Sequence, residues 1–113
     1  MRDKHVMRTQ KDFDLIYRKG KSVGDRYVVV FTRRNGLPYY RVGYLASKKV
    51  GNSVTRNRAR RLMKESVRLA GYDFVPGYDY VFIARNTIKD TKCPQVQRSI
   101  LSALRKTGVK RRK

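Results

Sequence analysis

Residues 40–85, YRVGYLASKKVGNSVTRNRARRLMKESVRLAGYDFVPGYDYVFIAR, decide the fold. Tyr40 to Ser47 reads as a strand. Gly51-Asn52 breaks it, and Asn52 or Ser53 offers the side-chain oxygen that caps a helix N-terminus. At about 100° per residue, Ala59, Leu62, Met63, Leu69 and Ala70 share one face of the helix that follows. Asn57, Arg60, Arg61, Lys64 and Arg68 fall on the opposite face. Gly71 suits the end of this helix. Tyr72 to Gly77 reads as a connector, and Tyr80 to Ala84 (YVFIA) is a wholly apolar run of the kind found in buried strands. Strand, helix and strand in this order make a βαβ unit, which requires two parallel strands.

The flanks complete the pattern. Thr9 is a good N-cap, and Asp12 three residues on resembles a capping box with a shortened acid. Phe13, Ile16 and Tyr17 line one helix face, and Gly20 suits the position after the helix. Tyr27 to Thr32 (YVVVFT) is β-branched and aromatic, as strands are. Asn35-Gly36 marks a turn, so the strand from Tyr40 is expected antiparallel to the first. Pro94 fits the first turn of a last helix with Val96, Ile100, Leu101 and Leu104 as its core face. The order is α-β-β-α-β-α: a small α+β sandwich with one sheet and helices packed against it. A single domain over 1–113 is expected, with residues 1–8 and 108–113 as loose basic ends.

The charge narrows the partner. The 113 residues carry 29 Lys and Arg against 8 Asp and Glu, a net +21. Such an excess calls for a polyanion, and nucleic acid comes first. No apolar run reaches membrane-spanning length, and residues 1–10 hold no secretory apolar core. The lone Cys93 excludes an internal disulfide and a multi-cysteine zinc site. Together these lead to the expectation of a cytoplasmic protein that makes no use of membranes. The charge also opposes compaction. The isolated protein is therefore expected to be marginally stable, and sulfate, phosphate or RNA that binds only the folded form should raise its thermal midpoint. An unchanged midpoint between chloride buffer and millimolar sulfate would count against this.

Between Ser47 and Arg68 stand eight cations, Lys48, Lys49, Arg56, Arg58, Arg60, Arg61, Lys64 and Arg68, and one acid, Glu65. A charge run is usually a solvated face. On a helix anchored by an apolar stripe, however, it becomes a rigid ridge able to match one phosphate geometry, and Arg grips phosphate bidentately. Asn57 adds no charge, so it is either a cap or a specific hydrogen-bonding group. Phe13 and Tyr17, one turn apart, fit core packing or a platform on which unpaired bases stack. Along the first strand, Tyr27, Val29 and Phe31 share one face and Val28, Val30 and Thr32 the other. One face must meet helices, and the pattern does not say which. Catalytic constellations are missing: the acids are scattered, His5 is the sole histidine, and there is no phosphate-cradling glycine loop. Cleavage of a phosphodiester by this chain alone is not expected.

The run Ser47-Lys48-Lys49-Val50-Gly51-Asn52-Ser53-Val54, followed by Arg56-Asn57-Arg58-Ala59-Arg60-Arg61-Leu62, resembles the protein subunits of bacterial ribonuclease P. The resemblance extends to Asp12-Phe13 through Tyr17, Gly20, Ser22-Val23, Arg41-Val42-Gly43 and Asp79 to Arg85, in order and with matching spacing. It implies the same α-β-β-α-β-α fold, with an unusual left-handed βαβ crossover. It also implies a role beside a catalytic RNA that uses Mg2+ to remove the 5′ leader of precursor tRNA, the protein being an accessory subunit, monomeric on its own, with no catalytic residue and no metal site. Carried over by position, Lys48, Lys49, Arg56, Asn57, Arg58, Arg60, Arg61, Lys64 and Arg68 would touch the RNA subunit. Phe13, Tyr17 and Phe31, with Lys21 and Arg26 added, would hold the leader in a cleft. The residues by themselves leave open a structural RNA binder or RNA chaperone of ribosomal-protein type, a nucleoid DNA binder and a self-sufficient nuclease.

Overall fold

The computed structural model describes residues 3–7 and 9–109; positions 1, 2, 8 and 110–113 lie outside the described residues. The elements are α1 (Gln10–Lys19), β1 (Lys21–Gly24), β2 (Val28–Arg34), β3 (Arg41–Ala46), α2 (Ser53–Ala70), β4 (Tyr78–Ala84), a 3-10 turn (Asn86–Ile88) and α3 (Cys93–Lys106). The α+β class stands, with one strand more than expected. β1 is only four residues long and polar, so it carries too little alternation to be read in advance.

Local chemistry places the helix ends. Thr9 Oγ1 accepts from the Asp12 amide at 3.2 Å and opens α1. Asn52 Oδ1 accepts from the Thr55 amide at 3.0 Å and opens α2, while Gly71 closes it at φ 62°, where an L side chain is strained. Gly20 departs from the expected left-handed ending: its φ is −82°. Glycine is required there by crowding, since a Cβ would lie 2.5 Å from the Ile16 carbonyl oxygen and 2.9 Å from that of Thr32.

Strand order is β1-β2-β4-β3. β3 and β4 pair in parallel, as the βαβ reading requires. β2 and β3 do run in opposite directions, but they are not neighbours: β4 lies between them, antiparallel to β2. The Asn35-Gly36 bend therefore does not close a hairpin. It carries the chain past the start of β4, where the Asn35 amide nitrogen donates to Asp79 Oδ1 at 2.8 Å.

The two sheet faces differ. Val28 and Val30 of β2, Val42 of β3 and Tyr80 and Phe82 of β4 meet α2 and α3 in the main core. Met63 and Val67 enter it from α2, and Val96, Ile100 and Leu104 from α3. The α2 stripe is rotated from its expected position: Leu69 is 51 % exposed, while Ser66 and Val67 are buried. Ser66 is accommodated because its hydroxyl donates to the Leu62 carbonyl at 2.7 Å. On the opposite face α1 covers only part of the sheet. Ile16 and Val81 are buried there with Met7, while Phe13, Phe31, Leu45 and Ile83 stay half-buried around them.

Residues 3–7, expected as a loose end, run beside β3. Val6 bridges Val42, Met7 is buried, and the His5 ring stacks on Tyr40 at 4.1 Å between centroids. The exposed backbone edge of β3 attracts this segment, because unpaired strand groups accept any neighbouring chain.

Two polar ties hold the layers in place. Arg41 on β3 grips Asp79 of β4 with both arms, at 2.9 and 2.7 Å, and reaches Asp12 of α1 at 3.1 Å. Asp12 thus does not reach back as a capping-box acid. The Asp79 bond raises the Arg41 guanidinium pKa above its usual value despite the opposing effect of burial. Asp25, before β2, binds Ser99 at 2.8 Å and Lys106 at 3.0 Å, both on α3. Burial alone would raise its carboxyl. The Arg26 amide, Lys106, Ser99 and Ser102 outweigh that and hold it well below the usual carboxylate range.

A depressed carboxylate stabilises the fold above its ordinary pKa near 3.8 and loses that contribution as pH falls towards its folded value. Asp25→Asn is expected to cost roughly 1–2 kcal/mol at neutral pH. The gap to the parent chain should narrow below about pH 4 in urea unfolding followed across pH. A gap that does not change with pH would remove Asp25 from this role.

Candidate nucleic-acid interface

The ridge is an outcome of helix periodicity. With Ala59, Met63 and Val67 locked into the core, Asn57, Arg61, Lys64 and Arg68 are necessarily exposed on α2, and Arg60 half-exposed. Asn57 is no cap, since Asn52 holds that position. Its Oδ1 accepts from Arg60 one turn on, and so orients that guanidinium. Arg68 is paired with Glu65 on the same face, which offsets part of its charge. Lys48 and Lys49 are exposed in the turn that leads into α2.

Arg56 and Arg58 do not join the ridge. Arg58 turns towards the chain ahead of α3 and donates to the Thr91 carbonyl at 3.1 Å. Arg56 is half-buried; its Nη2 donates to Ser53 Oγ at 3.2 Å, and its Nε is buried without a hydrogen-bond partner.

The face of β2 that the pattern left undecided is now assigned. Val28, Val30 and Thr32 meet the helices, and Phe31 projects to the half-covered side. There the Tyr17 ring meets Phe31 edge to face at 5.2 Å, and Tyr17 remains 38 % exposed. Phe13 lies against Gly43 of β3 so closely that a Cβ on that residue would come within 2.6 Å of the ring. Phe13, Tyr17 and Phe31 are thus brought together as one aromatic platform.

Lys21 and Arg26 are not part of it. Lys21 pairs across the sheet with Thr32, whose side chain faces the helices, so the two side chains share that face, opposite to Phe31. Arg26 lies over the Tyr27 ring, 5.4 Å from its centroid, beside Arg98 and Ser99 of α3. Strand alternation could have placed Lys21 once its pairing with Thr32 was known, but Lys21's own strand, β1, was unread.

Platform and ridge meet around the edge of β3. A groove of about 230 Å3 is lined by Phe13 from α1, Gly43 and Tyr44 from β3, and Arg60, Arg61 and Lys64 from α2. An apolar aromatic surface thus passes directly into three cations. Stacking and phosphate contact are the two needs of a single nucleic-acid strand, and the groove supplies both. Among the described residues no group of three His, Cys, Asp or Glu side chains is placed to hold a metal ion, and no helix is long and apolar enough to cross a membrane.

Fold and surface together define a class: a small basic α+β domain that presents a cationic helix beside an aromatic sheet face. Comparison with known proteins makes this specific. The ribonuclease P family model matches residues 1–108. The chain is 43% identical over 106 residues to the ribonuclease P protein component of Pelotomaculum thermopropionicum, covering 94% of this chain and 95% of the relative. It is 43% identical over 104 residues to the component from Clostridium botulinum strain Loch Maree, covering 91% and 94%. The solved RNase P protein of Staphylococcus aureus superposes with a TM-score of 0.81 at 33% identity, over 95% of this chain and 98% of that one. The Thermotoga maritima RNase P protein does so at 0.77 and 31%, over 88% and 94%. The chain belongs to the ribonuclease P protein family.

Proposed function

We propose that this chain is the accessory subunit of a ribonuclease P holoenzyme: it binds the catalytic RNA through the α2 ridge and the 5′ leader of precursor tRNA on the platform. The observation that carries the reading is the groove at the β3 edge, where Phe13 and the Arg60, Arg61 and Lys64 cations line one surface. Arginines on a rigid helix neutralise RNA phosphates and favour the folded RNA. An aromatic platform adds affinity for an unpaired strand, and so favours precursor over leaderless product. Both effects are binding effects that precede the chemistry. In this reading magnesium is assigned to the RNA, and no residue of the chain is given the role of holding it. The setting proposed is the cytoplasm, with the RNA subunit and precursor tRNA as partners and a monomeric chain in their absence.

Cleavage of a precursor tRNA by a bacterial ribonuclease P RNA at low magnesium, with and without the chain, tests this. Accurate 5′ cleavage should appear with the protein present and be absent with the protein alone. Binding to the RNA with no effect on cleavage would point to a structural RNA binder. Tyr17→Ala should weaken precursor binding by about 1–3 kcal/mol and leave mature tRNA little affected. Equal losses on both would make Tyr17 a packing residue.

A further inference from the structure

A second basic recess lies at the other edge of the sheet. β1 begins at Lys21, opposite Thr32, so Arg33 and Arg34 extend past it and are paired with β4 alone. The end of α1 covers one side of this unpaired flank and the chain after α3 the other. Between them is a notch of about 450 Å3 lined by Lys19, Lys21, Arg33, Arg34, Tyr78 and the 107–109 turn. No acidic side chain lines it. The ion pairs found among the described residues all lie elsewhere. Arg34 is held in place: its Nε donates to the Tyr78 hydroxyl at 3.3 Å, and its guanidinium lies 5.8 Å from the Tyr78 ring centroid. In sequence, Lys110, Arg111, Arg112 and Lys113 follow directly.

The acid nearest in register, Asp79 opposite Arg33, is already held by Arg41, so the four cations lining the recess repel one another and a polyanion relieves that repulsion. The notch is also continuous with the platform. Arg33 follows Phe31 by two residues on the same strand and therefore shares its face. The edge strands β3 and β1 are three spacings apart, about 14 Å. A strand that enters at the β3 groove and crosses the platform would leave the sheet here.

We propose that this notch binds the backbone phosphates of the leader beyond the bases held by Phe13, Tyr17 and Phe31, extending the leader reading on which it rests. Its recognition is by charge, so it follows leader length and not leader sequence.

The test uses holoenzyme carrying Lys19→Gln, Lys21→Gln and Arg33→Gln together. Precursor affinity is measured as the leader is lengthened one nucleotide at a time, at several salt concentrations. The parent chain should gain affinity once the leader reaches the notch. The variant should lose that increment, roughly tenfold, with a salt slope shallower by about 2 on long leaders only. Short-leader precursor and the RNA subunit should bind as before. A loss uniform over all leader lengths would assign the notch to the RNA subunit and overturn the proposal. No loss at any length would make these lysines and arginine ordinary solvated charges. If the parent chain itself ignored leader length, the leader reading would fall and the notch with it. A Tyr17 effect beside a silent notch would sink the notch alone. Thermal melts at or above the parent value, expected when like charges are removed, show that the variant folds.

Discussion

Arg41→Ala is expected to destabilise the chain by about 3–5 kcal/mol, because it strands the Asp79 carboxylate in the sheet. Asp79 is 1 % exposed and lies on β4, an inner strand of the sheet, so its carboxylate loses its charged partner in a desolvated position. Two bonds from Arg41 disappear, and the Asn35 amide is left as its side-chain partner. The loss also frees Asp12, and with it one fastening of α1 to the sheet. For a small domain already strained by its net charge, this approaches the whole of the folding free energy. The measurement is urea unfolding in a sulfate buffer, which keeps both variants measurably folded. Asp79→Leu combined with Arg41→Leu should cost less than the two single changes added together, because the pair removed as a unit leaves no unpaired charge. A loss under about 1 kcal/mol for Arg41→Ala would show that the network contributes little.

The second large effect concerns binding. Arg60, Arg61 and Lys64 changed together to alanine should reduce RNA-subunit affinity by roughly 4–5 kcal/mol, at about 1.5 kcal/mol per charged contact. The slope of log affinity against log salt should become shallower by about 2–3, since fewer counterions are released. Stability should move the opposite way, because three like charges leave an over-charged surface. This divergence separates an interface role from a folding role. Arg58→Ala serves as the contrast: its guanidinium is turned to Thr91 and off the ridge, so its effect on the salt slope should be smaller. An unchanged slope in the triple variant would remove these residues from the RNA interface.

The groove joins the ridge to a platform whose rings stay partly open, Tyr17 being exposed and Phe13 and Phe31 half-buried. α1 is too short to cover its sheet face, and the half-buried Phe13, Phe31, Leu45 and Ile83 remain around it. A longer helix would complete the core and close the platform. Gly43 has a similar role: its missing side chain lets Cε1 and Cζ of the Phe13 ring come close against β3 at the mouth of the groove. Substitution there would push the ring out of the surface it shares with Arg60, Arg61 and Lys64.

What the sequence determined by itself is local. The cap at Thr9, a cap at Asn52 or Ser53, the end at Gly71, the apolar run of β4 and the basic face of α2 all follow from chemistry within a few residues. The matched blocks from Asp12 to Arg85, taken in order and with their spacing, carried the resemblance to the family. Tertiary structure alone decided everything that depends on which distant segments meet. β4 takes the place between β2 and β3 because its apolar run needs cover on both edges and both faces, and no local rule ranks that against a β2–β3 hairpin. The alternation in β2 defines two faces, but packing by α2 and α3 chose the one to bury and left Phe31 open. That same choice sent Lys21 away from the platform and into the notch. Arg41, Asp12 and Asp79 stand far apart in the chain, and Leu69 and Val67 differ only in which way the packed helix is rolled. In each case the deciding energy lies in contacts between remote residues, which helix and strand periodicity cannot register.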